Sequence, residues 1–314
     1  MFKFGIIGAG SIAAKFCNAV SYVDDCGVVA VASKSLERAA EFAQRFGVDC
    51  YYDSYEQMLK EQSLGAVYIA TTHNFHYNNI MLCLDYSVPV LCEKCMVLTK
   101  AGAEAVFKKA REKSIFVMEA MWSRFIPAMK KARELIKSGE IGEIVSASYA
   151  FGMAADKSHR VYNPEIAGGV MYDLGVYCIE QLTYLIDKPV TNVQASVIRH
   201  ESGVDETVHI ILDFDGCLAN VNCSIASKLG CDMYISGTKG RMHLPEAVGA
   251  RKIVIRYNDG TEKIFEHDYE YEKGFTFEIK AIIACIQSGK IECEVMPHKA
   301  TIECAEIFDI TGKS

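Results

Sequence analysis

At 314 residues the chain exceeds what one hydrophobic core usually spans, so two domains of roughly 100–200 residues each are expected. Half of its residues are hydrophobic and 23% are charged, a balance that excludes a mainly disordered chain. The formal charge of −7, without any Lys/Arg run, excludes a dedicated binder of nucleic acid or of an anionic membrane.

Residues 4–7 form an apolar run that starts almost at Met1 and ends in a glycine turn, leaving no room for a signal peptide. No later run reaches the ~18–20 apolar residues of a membrane span, so a cytoplasmic protein is expected. Further β-rich runs at 28–32, 66–70, 88–92 and 115–119 alternate with helical patterns at 12–20, 36–46, 54–60, 76–86 and 100–113. Short apolar strands alternating with helices predict βαβ units, hence a doubly wound α/β domain with a parallel sheet over residues 1–120.

After Trp122 the rhythm changes. A helix is predicted over 127–137, a strand over 144–151 and a helix near 169–186. Segments at 193–198, 208–214, 217–225, 233–236 and 253–257, punctuated by Asp215-Gly216 and Asp259-Gly260, predict an α+β domain with a mostly antiparallel sheet over 121–314. Helical patterns at 275–287 and 297–310 close the chain. The thirteen cysteines are odd in number and follow no secretory signal, so reduced thiols are expected. The single CxxC, Cys92 to Cys95, has no second CxxC or HxxxH partner, and no metal is expected.

Gly8-Ala9-Gly10-Ser11-Ile12-Ala13 fits GxGxx(G/A) and lies where a dinucleotide fingerprint belongs, between the first strand and the first helix. Gly8 permits a tight turn, Gly10 lets backbone approach a pyrophosphate, and the N–H groups at Ser11 and Ile12 open the helix toward the anion. An acid closing the second strand would select NAD by pairing with the ribose 2′-hydroxyl. Here Ser33 and Lys34 stand, with Arg38 one turn on, which favours NADP, with NAD as the alternative. Thr71, Thr72, His73, Asn74 and His76 follow the fourth strand, at the carboxyl edge where such sheets bind ligands, and are expected to line the dinucleotide.

Two more segments stand out: Glu93-Lys94 closing the fifth strand, and Gly168-Gly169-Val170-Met171-Tyr172-Asp173-Leu174-Gly175-Val176-Tyr177. With the glycine fingerprint and Glu119-Ala120-Met121-Trp122-Ser123-Arg124-Phe125-Ile126-Pro127, they make nearly the whole chain resemble the glucose–fructose oxidoreductase / inositol dehydrogenase (Gfo/Idh/MocA) family. The Met-Trp-Ser-Arg-Phe segment and Tyr177 are most similar to its branch of dimeric dihydrodiol dehydrogenases and NADP-dependent xylose dehydrogenases. The resemblance implies a Rossmann domain followed by a domain whose open sheet forms a homodimer face. It also implies Lys94 as active-site lysine, with Glu93 and Lys94 among the cofactor-binding residues, Asp173 and Tyr177 as the Asp-x-x-x-His/Tyr pair, and Trp122 and Arg124 at a substrate pocket. One departure stands out: Cys95 replaces the family's proline after the lysine, so the peptide bond there is either trans, with a shifted loop, or cis and held by its surroundings.

The residues make chemical sense of these roles. Oxidising an alcohol needs a base within hydrogen-bond reach of its oxygen. A phenol with its ordinary pKa near ~10 becomes usable beside an ammonium, which favours phenolate. Tyr177 and Lys94 supply that pair, and Asp173, four residues before Tyr177 on one helix, is expected to orient Lys94 or a substrate hydroxyl. Arg160, in the polar loop before Gly168, either binds substrate hydroxyls or pins that loop. The expected activity is hydride transfer between NADP and a secondary alcohol or hemiacetal of a sugar, polyol or trans-diol. A glycoside-cleaving enzyme that keeps NAD bound and a non-catalytic dinucleotide sensor are the alternatives.

Overall fold

In the computed structural model, which describes residues 1–312, the chain opens with five strand–helix repeats. They are β1 (Phe2–Ile7), α1 (Ser11–Val20), β2 (Cys26–Ala32), α2 (Leu36–Phe46), β3 (Cys50–Tyr52), α3 (Tyr55–Glu61), β4 (Ala66–Ile69), α4 (His73–Asp85), β5 (Val90–Glu93) and α5 (Lys100–Lys113), followed by β6 (Val117–Ala120). The six strands lie all parallel in the order β3-β2-β1-β4-β5-β6, the doubly wound topology. Every residue of β4, β5 and β6 is buried, as helices on both faces of a parallel sheet require. Helix starts follow local chemistry: Ser35 and Ser54 cap α2 and α3 by accepting from the N–H of Arg38 and Gln57, and Gly47 ends α2 in the left-handed region.

Then come α6 (Pro127–Lys137), β7 (Ile144–Ala154), α7 (Val176–Ile186), β8 (Val190–Arg199), β9 (Asp205–Phe214), β10 (Cys217–Ser224), β11 (Ala226–Gly237), β12 (Gly240–Leu244), β13 (Lys252–Tyr257) and β14 (Glu262–Glu266), with α8 (Thr276–Gln287) and α9 (His298–Thr311) last. The eight strands form one sheet in the order β14-β13-β12-β11-β7-β10-β9-β8, antiparallel except where β10 meets β7. Alternation along β9 buries Val208, Ile210, Leu212 and Phe214, while Ile211 on the opposite face is exposed. The parallel sheet and the mostly antiparallel sheet are the α/β architecture expected from the sequence.

Two units emerge. Among the described residues the first comprises 1–97, 101–122 and 270–301, the second 98–100, 123–269 and 302–312. All thirteen cysteines are free thiols, eleven of them buried and only Cys26 and Cys50 partly accessible. Among the described residues no helix is long and apolar enough to cross a membrane.

Candidate active site

Strand order places the first set of expected residues side by side, at the carboxyl ends of β2, β1, β4 and β5. Gly8 has φ +102°, and a Cβ there would lie 2.8 Å from the carbonyl oxygen of Ala70. Only glycine fits that turn. A Cβ on Gly10, by contrast, would meet nothing within 4 Å, and no side chain caps α1. An open glycine next to the uncapped N–H groups of Ser11 and Ile12 fits a pyrophosphate.

Beside it, Ser33 follows β2 directly, buried, with the exposed Lys34 and Arg38 after it. The Lys34 ammonium sits 4.1 Å above the ring centre of Phe75, which links the β2 rim to the start of α4. In the segment after β4, the Thr72 hydroxyl donates to Asn74 Oδ1 at 2.7 Å, and Asn79 Nδ2 donates to the Thr71 hydroxyl at 3.1 Å. His73 is buried, its ring edge-on to that of His76 at 5.8 Å. His76 is wholly buried, with Nδ1 2.8 Å from the Cys95 carbonyl oxygen and Nε2 3.0 Å from that of Thr71. It thereby joins the loops that follow β4 and β5. Burial holds its imidazole below the usual histidine range.

The bond between Lys94 and Cys95 is cis, the second of the two alternatives the sequence left open. Cys95 is buried and its thiol donates to the Val97 carbonyl at 3.0 Å. Glu93 is buried too: its carboxyl accepts from the Tyr68 hydroxyl and from the Lys94 N–H at 3.2 Å. Burial pushes it up to about 7, against the pull of Tyr68 and Lys94. Glu278 on α8 shares this interior, with both carboxyl oxygens unpartnered and its pKa driven well above the usual range by burial and by Glu93. The sequence reading missed Tyr68 and Glu278. The only local signal was a charged residue between the apolar Phe277 and Ile279.

A stability effect follows. The Glu93 carboxyl titrates at an ordinary 4.5 when unfolded and at about 7 when folded, so stability present below pH 4.5 is lost as pH rises through 7. For a wholly buried group that shift is worth about 3 kcal/mol. Glu93→Gln, which keeps an acceptor for Tyr68, is expected to lose less thermal stability than the parent between pH 5 and pH 8. Equal losses in calorimetry at the two pH values would show that the group does not titrate in this window.

In the second unit, Gly168 and Gly169 are fixed by close approach. A Cβ on the first would lie 2.4 Å from the Val161 carbonyl oxygen, and one on the second, where φ is +115°, 2.1 Å from Asp205 Oδ1. Asp205 Oδ2 accepts from the Met171 N–H at 2.6 Å and so starts a π-helical turn, Met171–Gly175, that runs into α7. Asp173 lies buried within that turn, and Arg160 Nη2 donates to its Oδ1 at 3.0 Å. Tyr177 is the second residue of α7, half-buried, with the Phe151 ring edge-on at 6.2 Å. Lys94 belongs to the first unit, Asp173 and Tyr177 to the second. A cavity of about 390 Å³ in the second unit, lined by Leu98, Met171, Tyr172, Arg199, Asp205 and Phe308 among others, includes neither Asp173 nor Tyr177.

Arg124, expected at the substrate pocket, is 2% exposed, and its guanidinium donates to the Glu180 carbonyl, pairs with the Glu180 carboxylate and reaches Thr183 Oγ1 at 3.1 Å. A buried guanidinium held this way supports the interior, since removing either partner strands a charge. Trp122 is buried as well, stacked on Phe275 with centroids 5.3 Å apart and edge-on to Tyr271.

Comparison with known proteins agrees with these features. Residues 2–121 match an oxidoreductase family with an NAD-binding Rossmann fold, and residues 129–243 match the GFO/IDH/MocA C-terminal domain. The chain is 35% identical to a trans-1,2-dihydrobenzene-1,2-diol dehydrogenase of Mus musculus, covering 99% of this chain and 96% of that enzyme. The Homo sapiens enzyme of that name is 31% identical at the same coverage. Among solved structures, an aldose-aldose oxidoreductase from Caulobacter crescentus complexed with glycerol superposes with a TM-score of 0.89 at 19% identity, over 98% of this chain and 96% of that one. A 3-ketoreductase from Actinomadura kijaniata in complex with NADP and TDP-benzene gives 0.87 at 22% identity, over 99% and 96%. At those identities the two structures establish the shared fold.

Proposed function

Since the chain belongs to the Gfo/Idh/MocA family of NAD(P)-binding oxidoreductases, we propose that it transfers hydride between NADP(H) and a secondary alcohol or hemiacetal carbon of a cyclic trans-diol, sugar or polyol. One observation carries this reading: the likeness to the dihydrodiol dehydrogenases runs through 99% of the chain, so the segments bearing Lys94, Asp173 and Tyr177 lie within it.

When bound, NADP⁺ supplies the hydride acceptor. Tyr177 takes the proton of the substrate hydroxyl as the C–H bond breaks. Lys94 favours the phenolate and hydrogen-bonds the reacting oxygen. Asp173, held by Arg160, orients a substrate hydroxyl, and Arg160 fixes the loop before Gly168. On the cofactor side, the α1 N–H groups receive the pyrophosphate, and Ser33, Lys34 and Arg38 receive the 2′-phosphate. Thr71, Thr72, His73 and Asn74 line the remaining rim, while Glu93 and His76 hold the loops beneath it.

We also place the chain in the cytoplasm, in keeping with its thirteen free thiols, and pair it as a homodimer through the open face of the eight-stranded sheet. Ile198, Ile211 and Leu218 stand exposed on that face, at 63%, 41% and 50%. Sedimentation should give twice the chain mass of 34.8 kDa, and a monomeric mass at working concentration would remove this part.

The activity is tested by mixing the purified protein with NADP⁺ or NAD⁺ and a panel of cyclic trans-diols, aldoses and inositols, following reduced nicotinamide by absorbance. Turnover with NADP⁺ on a diol or aldose is the expected result. Tight cofactor binding without net reduction on any member would overturn it in favour of a cofactor-retaining glycoside-cleaving enzyme or a sensor.

A further inference from the structure

Glu119 lies in β6, 2% exposed. Its Oε1 accepts from the Met96 N–H at 2.9 Å, and its Oε2 accepts from the Thr301 hydroxyl at 2.8 Å. A carboxylate only accepts, so both partners must turn a hydrogen toward it, which fixes their orientation. Met96 is two residues beyond Lys94, and Thr301 is in the first turn of α9. All these residues belong to the first unit, and the chain leaves that unit just after Val97, after Trp122 and after Thr301. One buried carboxylate therefore ties together three places within a few residues of those crossings. The mechanism above gives it no task.

We propose that Glu119 is a positioning residue that fixes where Lys94 presents its ammonium, by gripping the backbone two residues beyond it and anchoring that grip on Thr301. The His76 contact to the Cys95 carbonyl holds the same loop from the α4 side, so Glu119 supplies the opposing hold. The inference rests on the role of Lys94 proposed above. If Lys94 favours the phenolate, a loop set free from Glu119 leaves the base harder to ionise, and oxidation should then need a higher pH.

The full-length protein is compared with Glu119→Ala, Glu119→Gln, Thr301→Val and Lys94→Ala by kcat, KM, NADP⁺ affinity and the pH profile of kcat. Glu119→Ala should lower kcat about tenfold or more and raise the midpoint of the profile by about one pH unit, with NADP⁺ affinity within about twofold. Glu119→Gln should restore both, because its amide oxygen can accept from Met96 and its NH₂ can donate to the Thr301 oxygen. Thr301→Val should move the midpoint in the same direction by a smaller step, and it carries the test if Glu119→Ala does not fold.

A Lys94→Ala variant that loses turnover, beside Glu119 and Thr301 variants with an unmoved midpoint, would overturn the inference and leave the Lys94 role standing. Unchanged turnover in Lys94→Ala would instead remove the role of Lys94 and the inference with it.

Discussion

Tyr177→Phe is expected to lower kcat by about 10²–10⁴-fold, the usual contribution of a positioned acid or base, while dinucleotide affinity stays within about twofold. The substitution removes one oxygen and keeps the ring, so the edge contact with Phe151 survives and the second residue of α7 stays in place. What disappears is the only group proposed to accept the alcohol proton. The loss should therefore appear in turnover, with little change in the KM of either substrate if binding is fast. Fluorescence titration with NADPH separates the two properties. Turnover at the parental rate would place the base elsewhere, and a large loss of NADPH affinity would mean that Tyr177 supports the cofactor instead.

The second large effect concerns cofactor choice. Two cations follow β2, Lys34 lodged over Phe75 and Arg38 in the first turn of α2, and Ser33 stands where a carboxylate would repel a 2′-phosphate. Hydrogen bonds to charged groups contribute about 1.5–3 kcal/mol each. The double variant Lys34→Ala/Arg38→Ala should therefore lose about 10²-fold or more in kcat/KM with NADP⁺ and change less than about threefold with NAD⁺. Steady-state kinetics with both cofactors decides the matter. Equal losses would mean that the cations support α2 rather than read the phosphate.

The fold was legible wherever the chain's own pattern dictates it. Residues 66–69 are a short apolar run buried on both faces, and the Gly8 turn needs only its own backbone to be recognised. Three strands escaped for a physical reason. β3 has three residues and a single buried side chain, β12 has only five residues and opens on Gly240, and β14, Glu262–Glu266, is an edge strand without a buried residue, held by its pairing with β13. Pairing partners are not written in periodicity. The π-helical turn carrying Asp173 depends on Asp205, which lies 34 residues beyond Met171, where the turn starts.

The same distance hid parts of the site. Arg124 was expected at the substrate pocket because its segment resembles the family's, and nothing in that segment announces its partner Glu180, 56 residues away. Glu93 reads as a strand-end acid, and nothing nearby announces that Tyr68 will donate to it or that Glu278 will lie buried in the same interior. The glycine turn, Lys94, Asp173 and Tyr177 could be proposed from the sequence because they sit in local motifs; the burial and partners around them could not.

The return of residues 270–301 to the first unit bears on how this protein can be taken apart. That stretch carries α8, which lies against α1, the helix that follows the glycine turn. A fragment ending at Trp122 would leave the covered flank of α1 bare and discard Thr301, to which Glu119 is bonded. No single break in the backbone frees the nucleotide-binding half intact. A gene exchange meant to transplant it must carry the distant stretch 270–301 as well.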